Sequence, residues 1–190
     1  MELLKSAELF AKKKHAGQFR KDSIVPFSKH LEDVVNRLKS LGVIDEEILS
    51  AGWLHDIIEN TDTSFDDLYD QFGNKIAVLV SSLSKDMTLP RKQREKEYVN
   101  QLKDTSFDAK LIKLCDISAN LSDLKNYDVS KSKKIRQIKQ KRVYLTYIKK
   151  DLINNSNYPK IILLLGTINE ILKKYGQRTI SLQSETWEFL

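Results

Sequence analysis

Apolar residues recur at spacings of three and four along nearly the whole chain, and no stretch alternates long enough to read as a strand of a sheet core. A period near 3.6 lines apolar side chains along one face of a helix, whereas a half-buried strand needs a period of two. The chain is therefore expected to be all-α. Leu3, Leu4, Ala7 and Phe10 predict a helix over about residues 3–15. Leu31, Val34, Val35 and Leu38 predict a second, stopped at Gly42. Asp45 is placed to cap a third, which carries Ile48, Leu49, Gly52, Trp53 and Ile57. Thr63 or Ser64 opens a short helix through Leu68 and Phe72. Gly73-Asn74 breaks it before another through Ile76, Ala77, Leu79, Val80 and Leu83. After Leu89-Pro90, helices are expected from Arg91 to about Leu102, Phe107 to about Leu124, Ser132 to Lys150 and Lys160 to Lys174. A short strand is expected at Thr179–Leu182. The linkers are too short to separate large domains, so residues 1–190 are read as one domain.

Composition narrows the function class. With 41% apolar and 31% charged residues but only six Gly and three Pro, the chain is globular rather than disordered. Cys115 is the one cysteine, so no disulfide forms within the chain, which fits a reducing compartment. The N-terminal residues lack the apolar core and small-residue site of a signal peptide. The longest apolar runs, Ile76 to Val80 and Ile161 to Leu165, fall far short of the roughly 20 residues of a membrane span. A cytoplasmic protein with no membrane partner is expected. The formal charge is +6, and Lys131 to Lys150 holds nine Lys or Arg and no acid. Such a run fits a solvated helix face, or attraction of an anionic partner such as a nucleotide. It lacks the interleaved glycines and aromatics of single-strand binders, so nucleic acid is not the expected partner. Nothing in the sequence sets an oligomeric state.

The chemistry concentrates in Trp53-Leu54-His55-Asp56-Ile57-Ile58-Glu59-Asn60, where a His-Asp pair interrupts an apolar helix. Asp is a poor helix-interior residue, and charges are rarely buried without partners. Glu59 lies four residues after His55 and three after Asp56, so all three can lean toward one site. Taken alone, such a pair also fits a core histidine with a satisfied carboxylate. His30 opens the second helix, and Asp116 follows the apolar run Leu111-Ile112-Lys113-Leu114-Cys115. Two imidazoles and two carboxylates suit a borderline divalent ion with positions left for water and substrate. Such an ion activates water and polarises a phosphoryl oxygen, the chemistry of phosphoester hydrolysis.

The ordered segments carry a resemblance. Lys14-His15-Ala16-Gly17-Gln18-Phe19-Arg20-Lys21 is followed by Pro26-Phe27-Ser28-Lys29-His30. Then come Leu54-His55-Asp56 with Glu59-Asn60-Thr61-Asp62-Thr63, Phe72-Gly73, and Lys113-Leu114-Cys115-Asp116 with Asn120-Leu121. This order resembles the hydrolase domain of the RelA/SpoT family, in particular its small stand-alone hydrolases, and extends from about Ala7 to Ile180. The resemblance implies an HD-type helical globule, a manganese ion, and removal of pyrophosphate from the 3′ position of ppGpp or pppGpp, the alarmones of the stringent response. Carried onto this chain, it implies His30, His55, Asp56 and Asp116 as metal ligands. It implies Glu59, with Asn60 beside it, as the catalytic pair handling the attacking water. It makes Arg20 and Lys21 contacts to the guanine base, Lys85 a phosphate contact and Asn120 a nucleotide contact.

This chain departs from the family at several points. Asn60 stands where the family has Asp, and a neutral amide cannot accept a proton. Phe27 replaces a tyrosine, Leu31 a proline and Met87 a lysine, while Ile117-Ser118-Ala119 and Ser122 replace a more basic stretch. The expected activity is a metal-dependent 3′-pyrophosphohydrolase acting on ppGpp. The alternatives are an HD phosphatase on another nucleotide such as NADPH, or a catalytically weak nucleotide-binding regulator.

Overall fold

The apolar stripes become helices that share one core. The computed structural model describes residues 2–20 and 24–183. Among these, the helices are α1 (Glu2–Lys14), α2 (Phe27–Leu41), α3 (Glu46–Leu54), α4 (Ile57–Asn60) and α5 (Phe65–Phe72). They continue with α6 (Asn74–Leu83), α7 (Arg91–Asp104), α8 (Phe107–Asp123), α9 (Lys131–Ile153) and α10 (Ile161–Lys174). The starts follow side-chain chemistry. Asp45 accepts from the N–H groups of Glu47 and Ile48 at 2.8 and 3.3 Å, and Ser64 forms a reciprocal capping box with Asp67. Gly42 ends α2 with φ 100°, a left-handed conformation that glycine adopts without a Cβ penalty.

Helix α8 is the axis of the packing. Its residues from Ala109 through Ala119 are all buried, and it meets α2, α6, α9 and α10. Helix α3 packs against α1, α2 and α6. Gly52 makes the α2–α3 approach possible, because a Cβ there would lie 2.8 Å from Leu38 Cδ1 and 3.3 Å from Val35 Cγ2. The functional consequence is positional: α2, the α3–α4 junction and α8 all converge on one interior point, each bringing a polar residue into an otherwise apolar core.

The expected strand at Thr179–Leu182 does not form. Ile180 instead donates its N–H to Asn169 Oδ1 at 2.7 Å, and its carbonyl accepts from Asn169 Nδ2 at 2.9 Å. One amide side chain on α10 satisfies the backbone that a neighbouring strand would have paired. An isolated antiparallel bridge joins Phe19 to Pro26, just before α2. No described helix is long and apolar enough to cross a membrane.

Candidate active site

The site begins with a break in a helix. Helix α3 stops at Leu54 and α4 resumes at Ile57, leaving His55 and Asp56 at the junction. His55 Nδ1 lies 2.8 Å from the Gly52 carbonyl, which fixes the ring and leaves Nε2 to point inward. Asp56 takes φ −104° and ψ 3°, the sparsely populated bridge region where active-site residues gather. The sequence reading carried one helix through this point; the structure splits it. Helix α2 supplies His30 one turn in, after Pro26 at the N-cap position. Helix α8 supplies Asp116 from its buried face.

These four residues meet. His30 Nε2 is 3.7 Å from Asp56 Oδ2 and 3.3 Å from Asp116 Oδ1. His55 Nε2 is 3.4 Å from Asp56 Oδ2 and 3.8 Å from Asp116 Oδ1. Ligand atoms of His30, His55 and Asp56 all fall within 4.8 Å of one another. Both Nε2 atoms are buried and neither has a well-directed hydrogen-bond partner. Buried polar atoms without partners are costly. Two imidazole nitrogens and two carboxylate oxygens facing a common space are the donor set a divalent cation takes. The residues present therefore fit such an ion. Asp56 is 23% exposed against 3% for Asp116, so the centre opens to solvent on the Asp56 side.

The local charges respond to this crowding. Burial pushes His55 down, but the Asp56 and Asp116 carboxylates outweigh it and raise the ring to about 10. Burial lowers His30. Burial raises Asp116, yet Lys113 and Lys141 carry it well below the usual carboxylate range. Lys113 Nζ sits 2.9 Å from Asp116 Oδ2. Asn120 donates to Asp116 Oδ1 from the next turn. Glu59 accepts the Lys85 backbone N–H at 2.8 Å, and burial together with Asp56 raises its carboxyl above the ordinary range.

The other expected residues fall into distinct places. Asn60 is exposed at the end of α4, where its carbonyl accepts from Gln18 Nε2 at 2.9 Å. Arg20 is buried, and its Nη2 donates to Asn120 at 3.1 Å, to Asp123 at 2.9 Å and to Tyr127. Arg20 and Asn120 thus form a chain leading to Asp116. Lys21 lies outside the described residues. His15 stacks on Phe27 at 4.8 Å, and Phe27 in turn packs on His30 at 5.7 Å.

Two lysines that were not expected join Lys85 in a cluster beside the centre. Tyr98 and Tyr144 meet edge to face at 5.3 Å. Around this pair stand Lys85, 5.0 Å from the Tyr98 ring centre, Lys113 at 5.1 Å from the same ring, and Lys141, 6.0 Å from Tyr144. Burial pushes Lys141 down to about 8. The signal for Lys113 was present, as a lysine inside an apolar run. Lys141 had none, being one of nine similar cations in its segment.

With this geometry in hand, the chain can be set beside known proteins. The sequence pattern of the HD domain family matches residues 7–145. The guanosine-3′,5′-bis(diphosphate) 3′-pyrophosphohydrolase MESH1 of Danio rerio is 39% identical over 117 residues, which cover 60% of this chain and 65% of that protein. Human MESH1 is 39% identical over 125 residues, covering 65% of this chain and 69% of the relative. The aligned part thus spans about two thirds of these relatives. A solved structure described as a metazoan ortholog of SpoT that hydrolyzes ppGpp superposes with TM-score 0.82 at 27% identity. It covers 94% of this chain and 98% of that one.

Proposed function

The chain belongs to the HD domain family, and from that premise we propose that it is a metal-dependent phosphohydrolase removing pyrophosphate from the 3′ position of ppGpp-like nucleotides. The observation that carries this reading is the convergence of two buried, unpartnered imidazole nitrogens with two carboxylates beside a cluster of lysines. His30, His55, Asp56 and Asp116 hold the ion, with manganese the favoured metal. When bound, such an ion supplies Lewis acidity, lowering the pKa of water and polarising a phosphoryl oxygen.

The chain's own groups do the rest. Glu59 lies three residues beyond Asp56, with a carboxyl whose raised proton affinity suits it to take a proton from attacking water. Asn60 cannot share that task, and its backbone carbonyl is held by Gln18 Nε2 at 2.9 Å. Lys85, with Lys113 and Lys141 beside it, receives phosphoryl charge. Asn120 holds Asp116 in place and reaches the nucleotide. Arg20 shapes the base side of the site, with Lys21 next to it in the chain. Water adds to the phosphorus attached to the 3′ oxygen, that P–O bond breaks, and the 3′ oxygen leaves protonated. The products are GDP or GTP and pyrophosphate. The protein works in the cytoplasm on a guanosine polyphosphate and needs no membrane.

The second reading keeps the centre and changes the substrate to a nucleotide with a single 2′ or 3′ phosphate, such as NADPH. It is favoured by Lys85, whose charge is already met by Glu95 at 3.1 Å. Turnover of both nucleotides with manganese decides between them. Pyrophosphate release from ppGpp is expected. Phosphate release from NADPH alone would move the substrate, and silence on both would overturn the hydrolase reading.

A further inference from the structure

The lysine cluster beside the candidate centre contains an acid of its own. Glu95, on α7, accepts from Lys85 Nζ at 3.1 Å through one carboxylate oxygen and from the Tyr144 hydroxyl through the other. It is 28% exposed, so the pair is open to solvent on the Glu95 side. Three cations crowd this space. Lys113 is matched by Asp116 at 2.9 Å, and Lys141 reaches the same carboxylate oxygen only at 4.0 Å. Lys85 is matched by Glu95. Asp56 and Glu59 act on these lysines as well, so Glu95 is one of four carboxylates around three cations, and it is the one paired with Lys85 Nζ.

Both Lys85 and Lys113 lie over the same aromatic pair, at 5.4 and 5.7 Å from the Tyr144 ring. The tyrosine rings hold the ammonium groups by their faces and offer no anion of their own. A phosphoryl oxygen entering beside Lys85 meets the same donor that the Glu95 carboxylate now occupies. We propose that Glu95 is a specificity-determining residue: its carboxylate stands in for a phosphoryl group on Lys85 and sets how much phosphate charge that lysine accepts. The inference rests on the reading that phosphoryl charge is received at Lys85.

The physical reason is selective. A like charge a few ångströms away disfavours every anion, but it disfavours a more highly charged one more. Glu95 therefore weakens the hold on a pyrophosphoryl group more than on a single phosphate, and it returns to Lys85 when the pyrophosphoryl group leaves. Glu95→Gln removes the charge and keeps an oxygen for the Tyr144 hydroxyl. Glu95→Asp keeps the charge on a shorter arm.

The test is calorimetric binding of inorganic pyrophosphate and of orthophosphate to the metal-stripped full chain, wild type and both variants. Glu95→Gln is expected to tighten pyrophosphate on the order of tenfold and orthophosphate distinctly less, so that the ratio of the two affinities rises. Glu95→Asp is expected to keep a ratio near that of the wild type. An unchanged ratio in Glu95→Gln, equal tightening of both anions, or no pyrophosphate binding by either protein would overturn the proposal. Circular dichroism and thermal melting check folding, and if Glu95→Gln does not fold, Glu95→Ala carries the same comparison. Turnover of ppGpp by the wild type is measured alongside. Its absence would sink the substrate assignment and leave the affinity ratio to decide the role of Glu95.

Discussion

At the scale of single residues, the His-Asp pair alone left a satisfied core pair open, and the candidate centre became legible only when His30 and Asp116 were read with it. A His-Asp pair in an apolar helix, and an Asp behind an apolar run, are costly to bury without a partner. The charges that surround them were less legible. Lys113 carries the clearest consequence. It is 8% exposed and holds the Asp116 carboxylate at 2.9 Å. Lys113→Met is expected to destabilise the metal-stripped protein by about 3 kcal/mol, because it leaves a buried carboxylate short of a counter-charge. Added manganese should recover part of that loss in urea unfolding. Glu59→Gln should behave in the opposite way, losing activity by about 10²–10⁴-fold while gaining stability. Burial and Asp56 raise the folded Glu59 carboxyl above its ordinary 4.5. Below 4.5 both the folded and unfolded chains hold the proton and the variant gains nothing. Above 4.5 the unfolded chain gives up its proton while the folded wild type still holds it, so the variant's advantage grows from there up to the raised value and persists at neutral pH. Unfolding measured from pH 4 to 8 checks the sign; a difference that shrinks with rising pH would contradict it.

Helices and their ends were readable where local chemistry decides them, as at the Asp45 and Ser64 caps and the Gly42 stop. They were unreadable where tertiary contacts decide. The break at His55 and Asp56 depends on an inward ring and a shared interior point, which no periodicity encodes. Thr179–Leu182 has the composition of a strand but meets Asn169 rather than another strand. Two predictions belong here. Gly52→Ala puts a methyl 2.8 Å from Leu38 Cδ1 and is expected to cost about 1–3 kcal/mol in chemical denaturation. Its effect should extend to activity, since the Gly52 carbonyl is the partner of the His55 ring. Asp45→Ala removes the α3 cap and should cost about 1 kcal/mol with little effect on turnover.

For the molecule as a whole, the periodicity was enough for an all-α architecture, because one face of nearly every helix had to be buried in the same core. The basic segment shows where such reading ends. On α9, Lys131, Lys133, Arg136, Lys139 and Lys150 are exposed as a solvated face, while Lys141 turns toward Asp116. Only the packing of α9 over α7 and α8 separates that residue from its neighbours. The candidate centre ties together α2, the α3–α4 junction and α8, so occupancy by an ion should stabilise the whole fold. Manganese at a hundred times its dissociation constant would add about 2.7 kcal/mol. The direct test is calorimetric titration of manganese into the metal-stripped protein, beside Asp116→Ala. The account predicts one site per chain, weakened at least about a hundredfold by the substitution. Undiminished binding in Asp116→Ala, or no binding by the wild type, would contradict it.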